Sequence, residues 1–187
     1  VMFMQHAAAS GMGGAVSSAI ARSLGAGQRD RADALASHAL ALAIVMAAAT
    51  SAIMLLCGPF LFRLMGGQGA VLTAALAYSN VVFCGAVSVW ALNILANVVR
   101  GTGNMGLPAF VIVGSVLAHV LLSSALIFGW GPMPALGPAG AGWGLVVSFG
   151  VGSIVLLAYL RSTAALVTPA FRGVTLQWKL FAEILKV

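Results

Sequence analysis

Acidic residues are nearly missing from this sequence. Three Asp and Glu stand against nine Lys and Arg in 187 residues, and charged residues make up 6% of the chain. A water-soluble domain carries about a quarter of its residues charged. So few charges cannot cover the surface of a soluble domain of this size, and the composition excludes one. With 61% hydrophobic residues and a mean hydropathy of +1.09, most of the chain has lipid as its solvent. The formal charge of +6 would suit nucleic acid if it formed one solvated basic face. Instead the basic residues lie far apart between apolar runs, as loop charges of a membrane protein do, so no nucleic-acid partner is expected. Cysteine is scarce too. Cys57 and Cys84 have no CxxC spacing, which excludes a zinc ribbon or a dithiol motif and leaves buried, unpaired thiols as the expectation. The first twenty residues hold no Lys or Arg, which excludes a secretory leader with its basic start. A chain opening on Val1 reads as beginning inside a longer protein.

What is present is a series of charge-free runs. Val1–Ala21, Leu35–Leu61, Leu72–Val99, Leu107–Phe128 and Gly140–Leu160 are each long enough for the ~20 helical residues that cross a bilayer. Turn signals separate them: Gly25–Asp33, "CGPFLFRLMGGQG" at Cys57–Gly69, the glycines after Arg100, and "GWGPMPALGPAG" at Gly129–Gly140. The runs are too uniformly apolar for barrel strands, and only helices satisfy that much backbone in lipid. The fold class is therefore all-α, a polytopic bundle of five spanning helices over residues 1–165.

Loops alternate across the membrane. One side receives Arg22, Arg29, Arg31, Arg100, Arg161, Arg172, Lys179 and Lys186; the other receives Arg63. By the positive-inside bias, the loops at 22–33 and 100–107 and the tail at 161–187 are cytoplasmic, and the loop with Pro132, Pro134 and Pro138 faces outward.

Gly101, Gly103 and Gly106 show the GxGxxG spacing of a dinucleotide loop. That fingerprint needs a strand before it and an acidic residue about 20 positions after it. Here a long apolar helix precedes, and no acid follows. The glycines read as helix punctuation: Gly101 and Gly103 end one span, Arg100 snorkels to the interface, and Pro108 opens the next. Likewise Gly25 and Gly27 stop the first span beside Arg22, and Asp30 is placed to cap the second.

Small residues at four-residue spacing, Ala7, Gly11, Ala15 and Ala19 in the first span and Gly140, Gly144, Ser148 and Gly152 in the last, mark tightly packed helices. Polar residues inside the spans carry more information, because burying them costs energy unless something satisfies or uses them. Ser79, Ala86, Trp90, Asn93, Asn97 and Arg100 fall on one face of the third span, with Tyr78 near its outer end. Such a face either lines a wet cavity for aromatic or cationic organic molecules or hydrogen-bonds neighbouring helices. On the fourth span Ser115, His119 and Ser123 share a face. His119 either handles a proton or serves as an interhelical hydrogen-bonding group. All three acids (Asp30, Asp33, Glu183) lie in cytoplasmic segments, so these spans offer no carboxylate for a coupling cation. At 166–187, "TLQWKLFAEILKV" reads as an amphipathic helix on the cytoplasmic surface, with Lys179 and Glu183 paired four residues apart.

Four stretches in order, "AVSSAIARSLGAGQRDRADALASHALAL", "LFRLMG", "NVVRGTGNMGLPA" and "LIFGWGPMPALGPAGAGWG", resemble the multidrug and toxic compound extrusion (MATE) transporters. The resemblance implies helices two to six of a twelve-helix, two-lobed protein plus the connector between the lobes. The first helix and the second lobe would be the missing partners. It implies export of small organic molecules by alternating access in exchange for proton or sodium, in a bacterial inner membrane, with no cofactor and no enzymatic step. It also places the family's polar cleft residues of its fourth helix at Tyr78, Asn93 and Asn97. An Asn and Asp used for proton coupling in one branch fall at His119 and Ser123. Two other readings remain open: a flippase for lipid or polysaccharide precursors, for which Arg100 is the single basic candidate, and a non-transporting membrane scaffold with a dry polar face.

Overall fold

The computed structural model describes residues 2–130, 134–162 and 165–167, with side chains from Gly13 onward. The described residues form six helices: α1 (Met2–Gly25), α2 (Arg29–Leu64), α3 (Gly69–Cys84), α4 (Ala86–Gly101), α5 (Gly106–Phe128) and α6 (Pro138–Leu160). The expected surface helix at 166–187 lies, from residue 168 on, outside the described residues.

Helix α4 is the axis of the bundle. It packs on α1, α2 and α6, while α5 runs along α6 and α3 bridges α2 and α6. The residues of α4 show this position directly: Ile94, Ala96, Val98 and Val99 have no exposed surface, and Trp90 is 1% exposed. Outward faces are equally apolar. Phe110, Leu121 and Ile154 are exposed, which is what lipid as solvent allows and water does not. Cys57 and Cys84 are free but exposed, against the expected burial. An apolar thiol gains nothing from the interior when the surroundings are themselves oil.

Three helices, α2, α5 and α6, are each long and apolar enough to cross a membrane, and the α3–α4 pair makes a fourth span if its two halves count as one. Five were expected. The shortfall is α1, where Gln5, His6 and a run of Gly and Ser dilute the apolar content. Helix α2 also departs from expectation. It runs for 36 residues, about 54 Å, through the supposed break at Cys57 and past Pro59, and turns only at Met65–Gln68. That length exceeds the ~30 Å hydrocarbon core, so α2 tilts or projects beyond it. Its N-terminal cap is Gln28, with no side-chain hydrogen bond; Asp30 instead sits in the first turn, favourable to the helix dipole.

The third expected span is broken. Helices α3 and α4 meet at Gly85 with a bend of 49°. Ser79 therefore belongs to a different helix from Trp90, Asn93 and Asn97, and the long polar face anticipated along one rod is confined to α4.

The close packing anticipated from small residues is present on α6. A Cβ built on Gly140 would stand 2.6 Å from the carbonyl of Leu126, and one on Gly144 would overlap Ser123 Oγ. A Cβ on Gly152 would overlap Ser115 Oγ. Gly140 and Gly144 admit α5 to backbone distance, and Gly152 makes room for the Ser115 hydroxyl.

Candidate functional site

Two polar groupings sit inside the apolar bundle, one on α4 and one between α5 and α6. On α4 the steps of three and four residues from Trp90 to Asn93, Asn97 and Arg100 build a ladder along one face. Asn93 Nδ2 donates to the Val89 carbonyl at 2.9 Å, and Asn97 Nδ2 to the Asn93 carbonyl at 2.8 Å. Arg100 Nη1 reaches Asn97 Oδ1 at 3.4 Å. Each amide thus spends donor capacity on its own helix, where the backbone already has a partner four residues on. Asn93 Oδ1 is left able to accept from elsewhere. Asn97 is 8% exposed and Asn93 half-buried. Gly13 of α1 lies directly against Asn97: a Cβ there would overlap Nδ2 and stand 2.6 Å from Cγ. Trp90 Nε1 is fully buried with no hydrogen-bond partner among the described residues.

Below this ladder, Gly101 closes α4 against α1, where a Cβ would stand 2.9 Å from the Ser17 carbonyl. Gly103 follows at φ +88°, and Gly27 takes the corresponding place after α1, which ends at Gly25, at φ +73°. Both positive-φ turns need glycine. These are chain reversals, as the sequence indicated, and no strand precedes either, so neither is a phosphate loop. Arg22 Nη1 bonds Ser18 Oγ at 2.9 Å on the exposed end of α1.

The second grouping joins α5 to α6. His119 Nδ1 and Ser123 Oγ are 2.9 Å apart, one turn of helix from each other, and Ser123 Oγ also donates to the Ala141 carbonyl of α6 at 3.4 Å. The imidazole meets Phe149 of α6 edge to face, 6.3 Å between ring centres. In the tautomer that carries its proton on Nδ1, His119 donates to Ser123 Oγ while Ser123 donates to α6. Phe149 belongs to the same core as Trp90 and Leu92, so α6 packs against both groupings. Tyr78 is half-buried on α3, and its carbonyl lies 3.0 Å from where a Cβ on Gly142 would stand.

Sequence reasoning passed over several features. A groove of about 600 Å³ runs between α5 and α6, lined by Val111, Ser115 and Leu122 on one side and Ser148, Val151 and Gly152 on the other. Ser148 Oγ is buried without a hydrogen-bond partner among the described residues. The break at Gly85 was signalled only by one glycine in an apolar run, next to a cysteine. His38 is 1% exposed, and its Nδ1–H donates to the Ala34 carbonyl at 2.7 Å. No three His, Cys, Asp or Glu side chains gather among the described residues.

Comparison with known proteins matches these features to one group. A protein of Bacillus subtilis (strain 168) named "Probable multidrug resistance protein YoeA" is 25% identical over 151 residues, 81% of this chain and 33% of its own length. The "FAD transporter" of Shewanella oneidensis is 30% identical over 131 residues, 70% of this chain and 29% of its own. A crystal structure titled "Crystal structure of MATE in the bent conformation" superposes on all of this chain and 41% of its own, with a TM-score of 0.90 at 28% identity. The chain spans about a third of the length of the curated relatives it matches. The expected resemblance holds, and with it the expectation of a transporter and not an enzyme. Residues 1–124, from α1 into the last turns of α5, match the MatE family model, and this helical chain belongs to the MATE family of multidrug efflux transporters.

Proposed function

We propose that the protein exports small organic, predominantly cationic molecules by alternating access in exchange for proton or sodium, and that the Trp90–Asn93–Asn97 face of α4 lines part of the cleft. The observation that carries this reading is the placement of two amides in the middle of a helix otherwise surrounded by hydrocarbon side chains. A stable helix in lipid has no need of them, and each costs energy that an apolar residue would not. A midplane surface for a polar aromatic guest does need them. One relative is named for multidrug resistance and the other for FAD transport, which supports organic cargo and leaves its charge to the test below. In it Tyr78 stands at the outer end of the pathway. His119 and Ser123 handle the coupling proton, since the acids among the described residues, Asp30 and Asp33, both lie in the first turns of α2. The protein would lie in a bacterial inner membrane with the loops at 22–33 and 100–107 and the tail at 161–187 in the cytoplasm. Residues 166–187 would connect this lobe to a second.

The test is export of a fluorescent organic cation from cells expressing the full-length protein, with either a pH or a sodium gradient imposed. Export that falls several-fold in Asn93→Ala, at unchanged protein level, supports the cleft; full export in that variant removes Asn93 from it. The scaffold reading draws on a specific observation, the near-complete burial of Trp90 and Asn97. It predicts no gradient-driven export by any variant or by the parent.

A further inference from the structure

A helix broken inside a membrane leaves backbone carbonyls without their partners four residues on, and in lipid each must find another donor. At the α3–α4 break Ser88 N–H bonds the Gly85 carbonyl at 3.0 Å, three residues back, and the regular ladder is interrupted. Three hydroxyls converge on the gap. Ser88 Oγ donates to the same Gly85 carbonyl at 2.7 Å. Ser51 of α2 donates across the bundle to the carbonyl of Phe83. Ser153 of α6 donates to the carbonyl of Ser88 at 3.1 Å while also bonding Phe149. The last two come from different helices and bond one carbonyl on either side of Gly85. The elbow is pressed against α6: a Cβ on Gly85 would overlap the Val146 methyls and stand 3.0 Å from its Cβ.

We infer that Ser51 and Ser153 are positioning residues that latch the bend at Gly85, and through it set the angle at which α4 presents Trp90, Asn93 and Asn97. The physical reason is an exchange of partners. With Ser51 present the Phe83 carbonyl is satisfied in the bent form, and Ser153 adds a cross-helix bond to the Ser88 carbonyl, which the α4 ladder also serves. Without them, the Phe83 carbonyl can recover a partner by closing the helical ladder onto the Val87 N–H, which straightens the rod. The two forms thus trade cross-helix hydroxyl bonds for backbone ones, the kind of two-state arrangement that a hinge requires. The consequence for transport rests on the cleft reading above; the latch does not.

The experiment places spin labels at Val71 and Met105, both exposed, in the full-length protein with its native cysteines replaced, and reads their separation by pulsed electron resonance. Straightening a 49° bend between arms of this length moves the ends apart by about 4 Å. Ser51→Ala with Ser153→Ala is expected to lengthen the distance by that amount. Ser51→Thr with Ser153→Thr, which keeps both hydroxyls, is expected to hold the parent distance. Ser124→Ala removes a hydroxyl that bonds only its own helix and should leave the distance unchanged. If the double alanine variant does not reach the membrane, the single variants are read in the same way. An unchanged distance in the alanine variants, or an equal change in the threonine variants, overturns the latch. A lengthened distance with undiminished cation export upholds the latch and removes the α4 face from the cleft.

Discussion

Replacing Gly144 with alanine should loosen the α5–α6 pair. The added Cβ would overlap Ser123 Oγ and stand 2.8 Å from the Ser123 backbone nitrogen and 2.9 Å from its Cα. Ordinary carbon contacts lie at roughly 3.5–4.0 Å. A serine hydroxyl can rotate away, but the backbone of α5 cannot, so α5 and α6 must separate by several tenths of an ångström. Overpacking of this kind costs about 1–3 kcal/mol. In a chain of this size each kcal/mol lowers the melting temperature by roughly 2–4 °C, so a fall of roughly 2–12 °C is expected. Gly114→Ala is the matched control. A Cβ there meets nothing within 4 Å, and replacing a helical glycine by alanine gains up to about 1 kcal/mol of helix propensity. The assay is the apparent melting temperature of purified protein in one detergent, read by loss of the monodisperse peak on size exclusion. Gly144→Ala melting level with or above Gly114→Ala would refute the packing argument. The same substitution should weaken the His119–Ser123 contact, because Ser123 is the residue displaced.

Gly13→Ala should push Asn97 out of its place on α4 and lower export, and Asn97→Ala in the same protein should recover most of the lost stability, measured as a double-mutant cycle in melting temperature with a coupling of about 1 kcal/mol. His119→Ala should flatten the dependence of export on an imposed pH gradient while leaving the melting temperature within a few degrees, whereas an unchanged gradient dependence would take the imidazole out of coupling. Single cysteines at Thr102 and Ala135 should react with a membrane-impermeant thiol reagent from opposite sides of the membrane; labelling from one side for both would overturn the positive-inside orientation.

The parts of this structure that were legible in the sequence are those governed by solvent and by backbone freedom. Scarce charge identified lipid as the surrounding medium, and Gly27 and Gly103 marked chain reversals because only glycine takes those positive φ values easily. The four-residue glycine and serine spacing of α6 carried through to backbone contact with α5. Features that depend on a second helix were hidden. The bend at Gly85 is held by hydroxyls from Ser51 and Ser153, 34 and 68 positions away along the chain, and periodicity along one segment cannot reveal them. Pro59 looked like a break in α2 yet is carried inside the helix. In lipid the missing hydrogen bond at a proline is readily made good by neighbouring groups. The candidate site was half visible. Asn93, Asn97, His119 and Ser123 stood out as polar residues in apolar runs, but the intimacy of Gly13 with Asn97 and the contact of α6 with both groupings follow from packing alone.

The central claim, that the α4 face borders an aqueous path for an organic solute, is tested most directly by thiol accessibility. With Cys57 and Cys84 replaced, cysteines introduced singly at Asn93 and Asn97 are challenged with a small water-soluble thiol reagent in energised membranes, with and without an exported cation. Rapid labelling that the cation slows is the predicted result. Labelling no faster than at the buried, apolar position Ile94, whether or not the cation is present, would contradict the account.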